Sequence, residues 1–178
     1  MQNIGEELAG EYLRYFEKCD FITYNTINPL IQGEIDVIGM NLKTKTVFYC
    51  EVAIHTGGLN YVTNKRPDNY NRFKSKFDKI IDYHKNFFNE YKIQLMLWSP
   101  IVKNSPNAKY NAFAEIQKLK NTYQNLGYDM DLIVNQSYLD CMKKLKSKAG
   151  ELTACLDSSV MRLFQIQEYT ERYVQKIN

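Results

Sequence analysis

Hydrophobic and polar positions change period several times along the chain, and each change predicts an element. Residues 3–18 carry Ile4, Leu8, Tyr12 or Leu13, and Phe16 at helical spacing, with Asn3 placed to cap the helix and Glu6 three residues on as its capping-box partner. Residues 21–26 predict a short strand, and Asn28-Pro29 breaks it. Glu34, Asp36 and Ile38 then alternate with Ile35, Val37 and Gly39, the period of a strand. Residues 40–46 are mainly polar and predict a turn. Residues 47–55 predict a second strand, with Phe48, Cys50, Val52 and Ile54 on a core face and Val47, Tyr49, Glu51, Ala53 and His55 on the other. Thr56-Gly57-Gly58 reads as a loop, either a tight strand exit or a close backbone approach to a ligand.

Residues 60–69 are polar. Residues 71–91 predict a long helix, with Phe73, Phe77, Ile80, Ile81, His84 and Phe88 on one face; His84 there reads as a core histidine. Residues 92–98 predict a buried strand. Ser105-Pro106 predicts the start of a helix running to about Leu126, where Gly127 stops it. A strand over 129–134 and a helix over 137–148 follow. A C-terminal helical segment occupies about 151–178, with an interruption near Asp157-Ser158. Its apolar side can pack on the sheet or carry a homodimer contact. The order predicts an α/β fold, a mixed central β-sheet flanked by helices on both faces.

Length and composition narrow the class. The chain has 178 residues, enough for one domain over 1–178 with its own core. Its net charge of +3 argues only weakly for an anionic partner. Four cysteines without CxxC spacing and two histidines make a structural zinc site a poor expectation. Scattered thiols suit a reducing compartment, so a cytoplasmic or nucleoid-associated, intracellular protein is expected. No secretory pattern opens the chain, and no apolar run has membrane-spanning length.

The candidate chemistry lies in the paired strands. If they form a hairpin, Asp36 and Glu51 meet on one face, and two converging carboxylates repel unless a cation lies between them. That predicts a site for a hard cation, magnesium above all, with manganese as its substitute. Glu34 shares the strand face of Asp36, and His55 that of Glu51. Downstream, Lys65, Arg66, Arg72, Lys74, Lys76 and Lys79 give six basic residues against two acids, Asp68 and Asp78. Arg72, Lys76 and Lys79 fall at i, i+4 and i+7. Such a run is by default a solvated face. Directly after a carboxylate pair it reads as a phosphate contact, and the resemblance described next implies that those phosphates belong to nucleic acid.

The order G-E-I-D-V-I over 33–38, a turn, then an apolar strand carrying Glu51 resembles the PD-(D/E)XK nuclease superfamily, and most nearly its small resolvase-like members. Gly5-Glu6-Glu7-Leu8-Ala9 with Tyr12-Leu13 is similar to that family's first helix. The resemblance covers the first third of the chain well and the middle only as an element order. It implies a restriction-endonuclease-like fold and a magnesium-dependent endonuclease of restriction or resolvase type acting on DNA, with RNA an open alternative. It implies Asp36 and Glu51 as metal ligands, completed by the backbone carbonyl of Val52, with Glu6 or Glu34 holding a second metal or a bridging water. The family lysine would stand at position 53, where this chain has Ala53. His55, Lys76 and Lys79 are the candidates for its place. If none takes it, the chain is an inactive nuclease-like module that binds nucleic acid or protein.

Overall fold

The structure, a computed structural model, describes residues 3–28 and 31–177. Pro29, half of the expected Asn28-Pro29 break, lies outside the described residues. The elements run α1 (Ile4–Tyr15), β1 (Phe21–Asn28), β2 (Ile31–Asn41), β3 (Thr46–Val52), β4 (Val62–Thr63), β5 (Arg66–Pro67), α2 (Asn69–Phe87), β6 (Lys92–Ser99), α3 (Ala112–Asn125), β7 (Asp129–Val134), α4 (Gln136–Glu151) and α5 (Ser159–Ile177). Five strands form a mixed sheet in the order β1-β2-β3-β6-β7. β1, β2 and β3 pair antiparallel, as a meander does; β6 then pairs with β3 and β7 with β6, both in parallel and each reached through a helix. The chain is thus α/β, with a mixed sheet and helices on both faces.

Each face of the sheet has its own core. On one, α2 and α3 bury Phe73, Phe77, Ile80, Leu119 and Tyr123 against Val47, Tyr49, Leu95 and Leu97. On the other, α1, α4 and α5 bury Leu8, Leu13, Leu145, Met161 and Phe164 against Val37, Phe48, Cys50 and Trp98. β3 is central, so both its sides are buried; the expected division into one core face and one site face does not hold. A strand in a parallel pair with helices above and below reads as a near-continuous apolar run, and VFYCEV is one. His84 is buried and ties the α2 core together: Nδ1 lies 3.1 Å from the Tyr49 hydroxyl, and Nε2 lies 3.0 Å from the Tyr91 carbonyl.

Several boundaries differ from the sequence reading. β3 ends at Val52, so residues 53–55 leave the sheet and strand alternation no longer orients His55. The polar 60–69 stretch contains a small hairpin, with Val62 opposite Pro67 and Thr63 opposite Arg66. Its two turn residues, Asn64 and Lys65, have φ of 50° and 61°, the left-handed pair that a two-residue turn between twisted strands requires. α3 begins at Ala112 instead of at Ser105-Pro106; the Asn111 side chain caps it by accepting from the Ala114 amide at 3.2 Å. The break before α5 falls near the expected Asp157-Ser158. There the Ser158 hydroxyl accepts from the Met161 amide at 3.2 Å and donates to Glu7 of α1 at 2.8 Å. No helix among the described residues is long and apolar enough to cross a membrane.

Candidate active site

The site forms where β2 and β3 run out beneath the first turns of α2. Val37 pairs with Cys50, so Asp36 and Glu51 come next along the two strands. Both are buried, at 6% and 1% exposed. Asp36 is fixed by accepting from the Val52 amide, 2.7 Å from its Oδ2. Lys76 reaches them from α2. It sits one turn from Phe73 and Ile80, at the border of the buried stripe, so its stem follows apolar surface and its charge is carried inward. Its ammonium donates to Glu51 Oε2 and lies 3.8 Å from Asp36 Oδ1. The other Glu51 oxygen, Oε1, is buried without a hydrogen-bond partner.

The electrostatics follow from that burial. Glu51 is pushed up to about 8, first by loss of water and then by the charge of Asp36; the Lys76 charge and hydrogen bond pull it back only in part. Asp36 is also raised, by burial first, against the opposing pull of Lys76 and the Val52 amide. Burial acts to lower Lys76, but the two carboxylates together outweigh it and hold the ammonium above its usual range.

A cleft of about 400 Å³ opens over this group. Arg72, Lys76 and Lys79 line it from α2, opposite Glu34 and Glu51, with Thr63 and Asp68 at its far wall. The basic stripe of α2 therefore borders the carboxylates. Lys74 points elsewhere: it pairs with Asp78 at 2.6 Å, on the side where Tyr123 bonds to the same carboxylate. Lys65 and Arg66 are exposed on the β4–β5 hairpin. Among the three candidates for the lysine position, Lys76 contacts Glu51 and Lys79 lines the same cleft. His55 is exposed and turned to Tyr61, with Nε2 3.2 Å from its hydroxyl. Tyr61 in turn carries the Arg72 guanidinium 4.6 Å above its ring.

The two further acids stand outside the carboxylate pair. Glu34 is exposed on the cleft wall. Glu6 is buried and fully used: Oε2 accepts from the Asn3 amide and from Asn25, both at 3.0 Å, and Oε1 accepts from the Asn3 side chain. Both act on Asp36 as nearby charges that raise its pKa. Sequence reasoning did not single out Asp68, Asn71 and Ser75 as cleft residues. Extending the 72–76–79 stripe one turn in each direction would have found the first of them.

A hard divalent cation fits this donor set. Glu51 offers a buried oxygen without a partner, and Asp36 is held beside it. Among the described residues no group of three or more His, Cys, Asp and Glu side chains could hold a metal ion. A magnesium held here would therefore keep much of its shell as water, backbone and substrate oxygens, its ordinary habit with one or two carboxylates. No family model matches the chain, and neither the curated proteins nor the solved structures offer a match to it.

Proposed function

We propose that the chain is a divalent-metal-dependent endonuclease of the PD-(D/E)XK type, restriction-endonuclease-like in fold, with Lys76 of α2 in the role that the family gives to a lysine on the strand. One observation carries this reading: the Lys76 ammonium lies on both Asp36 and Glu51, in a buried group where one Glu51 oxygen has no partner. An unsatisfied buried acceptor costs about 1–3 kcal/mol, a cost that a bound cation would offset.

Asp36 and Glu51, with the Val52 carbonyl, would hold magnesium. Bound there, the metal supplies charge neutralisation and an acidified water. The protein's own residues do the rest. The Asp36 carboxylate is held by the Val52 amide at Oδ2, which leaves Oδ1 on the side of Lys76, 3.8 Å from its ammonium. Lys76 holds a permanent positive charge beside the position of the reacting phosphate and orients the attacking water from the side of Glu51. Arg72 and Lys79 line the path of the nucleic-acid backbone and place it by charge. Helix α2 would supply the cation from the opposite wall, while Ala53, just past the end of β3, is buried in the α2-side core.

The test is incubation of the purified protein with supercoiled plasmid, with magnesium, with manganese and with chelator. Divalent-dependent nicking or linearisation is expected, and its loss in Asp36→Ala and in Glu51→Ala. Full cleavage by both variants would overturn the assignment. A second reading has its own support: Lys76 already compensates both carboxylates without a metal. An inert parent that still binds DNA would favour that reading, a nuclease-derived binding module.

A further inference from the structure

We propose that the cleft continues past the β4–β5 hairpin as a track for single-stranded nucleic acid, in which Tyr110, Lys109 and Lys103 hold the strand as it leaves the carboxylates. The inference deepens the nuclease reading and rests on it for the end of the track at Glu51.

Three hollows lie edge to edge. The cleft over Glu51 shares Thr63, Asp68 and Asn71 with a second hollow of about 470 Å³. That one shares Pro67 and Tyr110 with a third of about 250 Å³, bordered by Gly57, Gly58, Lys103 and Ser105. The path therefore follows one flank of the hairpin from the carboxylates to the irregular segment before α3. The first two hollows are on the scale of a small-ligand site, and the third is somewhat smaller. A chain of such spaces fits one strand taken nucleotide by nucleotide better than a duplex with its two backbones.

Chemistry at the bend agrees. Tyr110 is 41% exposed where the second and third hollows meet, and the Lys109 ammonium lies 5.9 Å from its ring centroid. An exposed ring beside cations is the recurring unit of single-strand platforms: every base has a face to stack, and the backbone follows the charge. Arg66 borders the second hollow and Lys103 the third. Gly58, with φ of +97°, lies against the Lys103 stem, and a Cβ on Gly57 would meet nothing within 4 Å, so the loop leaves its backbone open to the third hollow. Beyond Glu34 and Glu51 in the cleft, two acids face the track, Asp68 and Glu115. Asp68 accepts from Asn71 at 2.6 Å, and Glu115 accepts from the Asn69 side chain at 2.9 Å, so each has part of its charge engaged by a neighbour. On α4, by contrast, Lys146 and Lys148 are paired with Glu171 and Glu151 at 2.6 and 2.8 Å.

The test measures binding of the full chain to a fluorescein-labelled oligothymidine and to a short duplex, by anisotropy in chelator. Tyr110→Ala should weaken oligothymidine binding about tenfold, with Tyr110→Phe close to the parent because the ring is kept. Lys103→Ala with Lys109→Ala should flatten the salt slope on the single strand by about 1.4, roughly 0.7 per phosphate contact. A parent that ignores oligothymidine overturns the track, as does a Tyr110→Ala variant that binds it like the parent. An equal loss on duplex and single strand overturns the single-strand assignment. Glu51→Gln separates the two proposals. If it cuts plasmid like the parent while Tyr110→Ala still loses oligothymidine, the placement of the reaction at Asp36 and Glu51 fails and the track stands. If it loses cleavage and Tyr110→Ala loses nothing on oligothymidine, the reverse holds.

Discussion

Glu6 and Glu51 are both buried glutamates, 5% and 1% exposed, and their surroundings treat them in opposite ways. Glu6 stands at the third position of α1, where helix amides face it, and three donors from Asn3 and Asn25 take up its two oxygens. Asn25 reaches it from a left-handed conformation within β1, with φ of 50°. Glu51 stands near the end of the central strand β3, where the next amide, that of Val52, is taken by Asp36. It has one donor, Lys76, a second carboxylate beside it, and an oxygen with no partner. A buried carboxylate that is fully hydrogen-bonded is a structural part. One left short of donors and raised to about 8 is poised to take a proton or a cation. The sequence resemblance offered both as metal ligands; the geometry separates them.

The sharpest way to break the contrast is to remove the lysine. Lys76→Ala leaves Glu51 and Asp36 with no cation between them. If Lys76 acts on the transition state, cleavage should fall by about 10²–10³, the usual cost of deleting one such group. Single-turnover cleavage of plasmid at saturating magnesium measures this, with a thermal melt to show that the variant is folded. His55→Ala, which alters only the pair with Tyr61, should stay within about threefold of the parent. Loss in His55→Ala and none in Lys76→Ala would reverse the assignment.

The second contrast is thermodynamic. Because Glu51 is raised in the folded chain, its protonated form is the favoured native one. Its contribution to stability is full below its ordinary value of 4.5 and is lost as pH rises through about 8. In chelator, the parent should therefore lose on the order of 4 kcal/mol relative to Glu51→Gln between those two pH values, since each tenfold gain in proton affinity on folding is worth about 1.4 kcal/mol. Urea unfolding at a series of pH values reads this directly. Parallel curves for the two proteins would mean that Glu51 is not perturbed. At pH 8, magnesium should raise the melting temperature of the parent and leave Glu51→Gln unchanged.

What the sequence made legible follows from the range of each interaction. The capping box of Asn3 and Glu6 is local, spans three residues, and forms as read, with both reciprocal bonds present. The stripe on α2 and the placement of Asp36 against Glu51 need only strand and helix periods. The path of the chain after Val52 depends on what packs beneath it. Ala53 is still held by its amide to the Trp98 carbonyl at 2.8 Å, but β3 has ended, and the residues beyond turn toward Tyr61. The β4–β5 turn uses Asn64-Lys65 without a glycine, so the strongest hairpin signal is missing. Ser105-Pro106 has the chemistry of a helix start, yet Asn111 provides the cap nearer to the apolar run of Ile116, Leu119 and Tyr123. That Lys76 would be the cation lying on Asp36 and Glu51 was undecidable from spacing. Its reach depends on how α2 crosses the sheet, a tertiary property.

The smallest expected effect tests the other half of the contrast. Glu6→Ala removes the capping-box acceptor and leaves Asn25 and the Asn3 amide without their carboxylate. The Asn3 side chain still accepts from the Gly5 and Glu6 amides at 2.9 and 3.0 Å, so the helix start keeps half of its cap. A loss of about 1 kcal/mol follows, the scale of a single cap interaction. Chemical denaturation measures it, and the plasmid assay should show cleavage within about threefold of the parent, since Glu6 acts on Asp36 only as a like charge and makes no contact with it. Removing that charge should, if anything, ease the ionisation of Asp36. A stability loss near 1 kcal/mol together with a hundredfold fall in cleavage would place Glu6 back among the metal ligands and erase the distinction between the two glutamates.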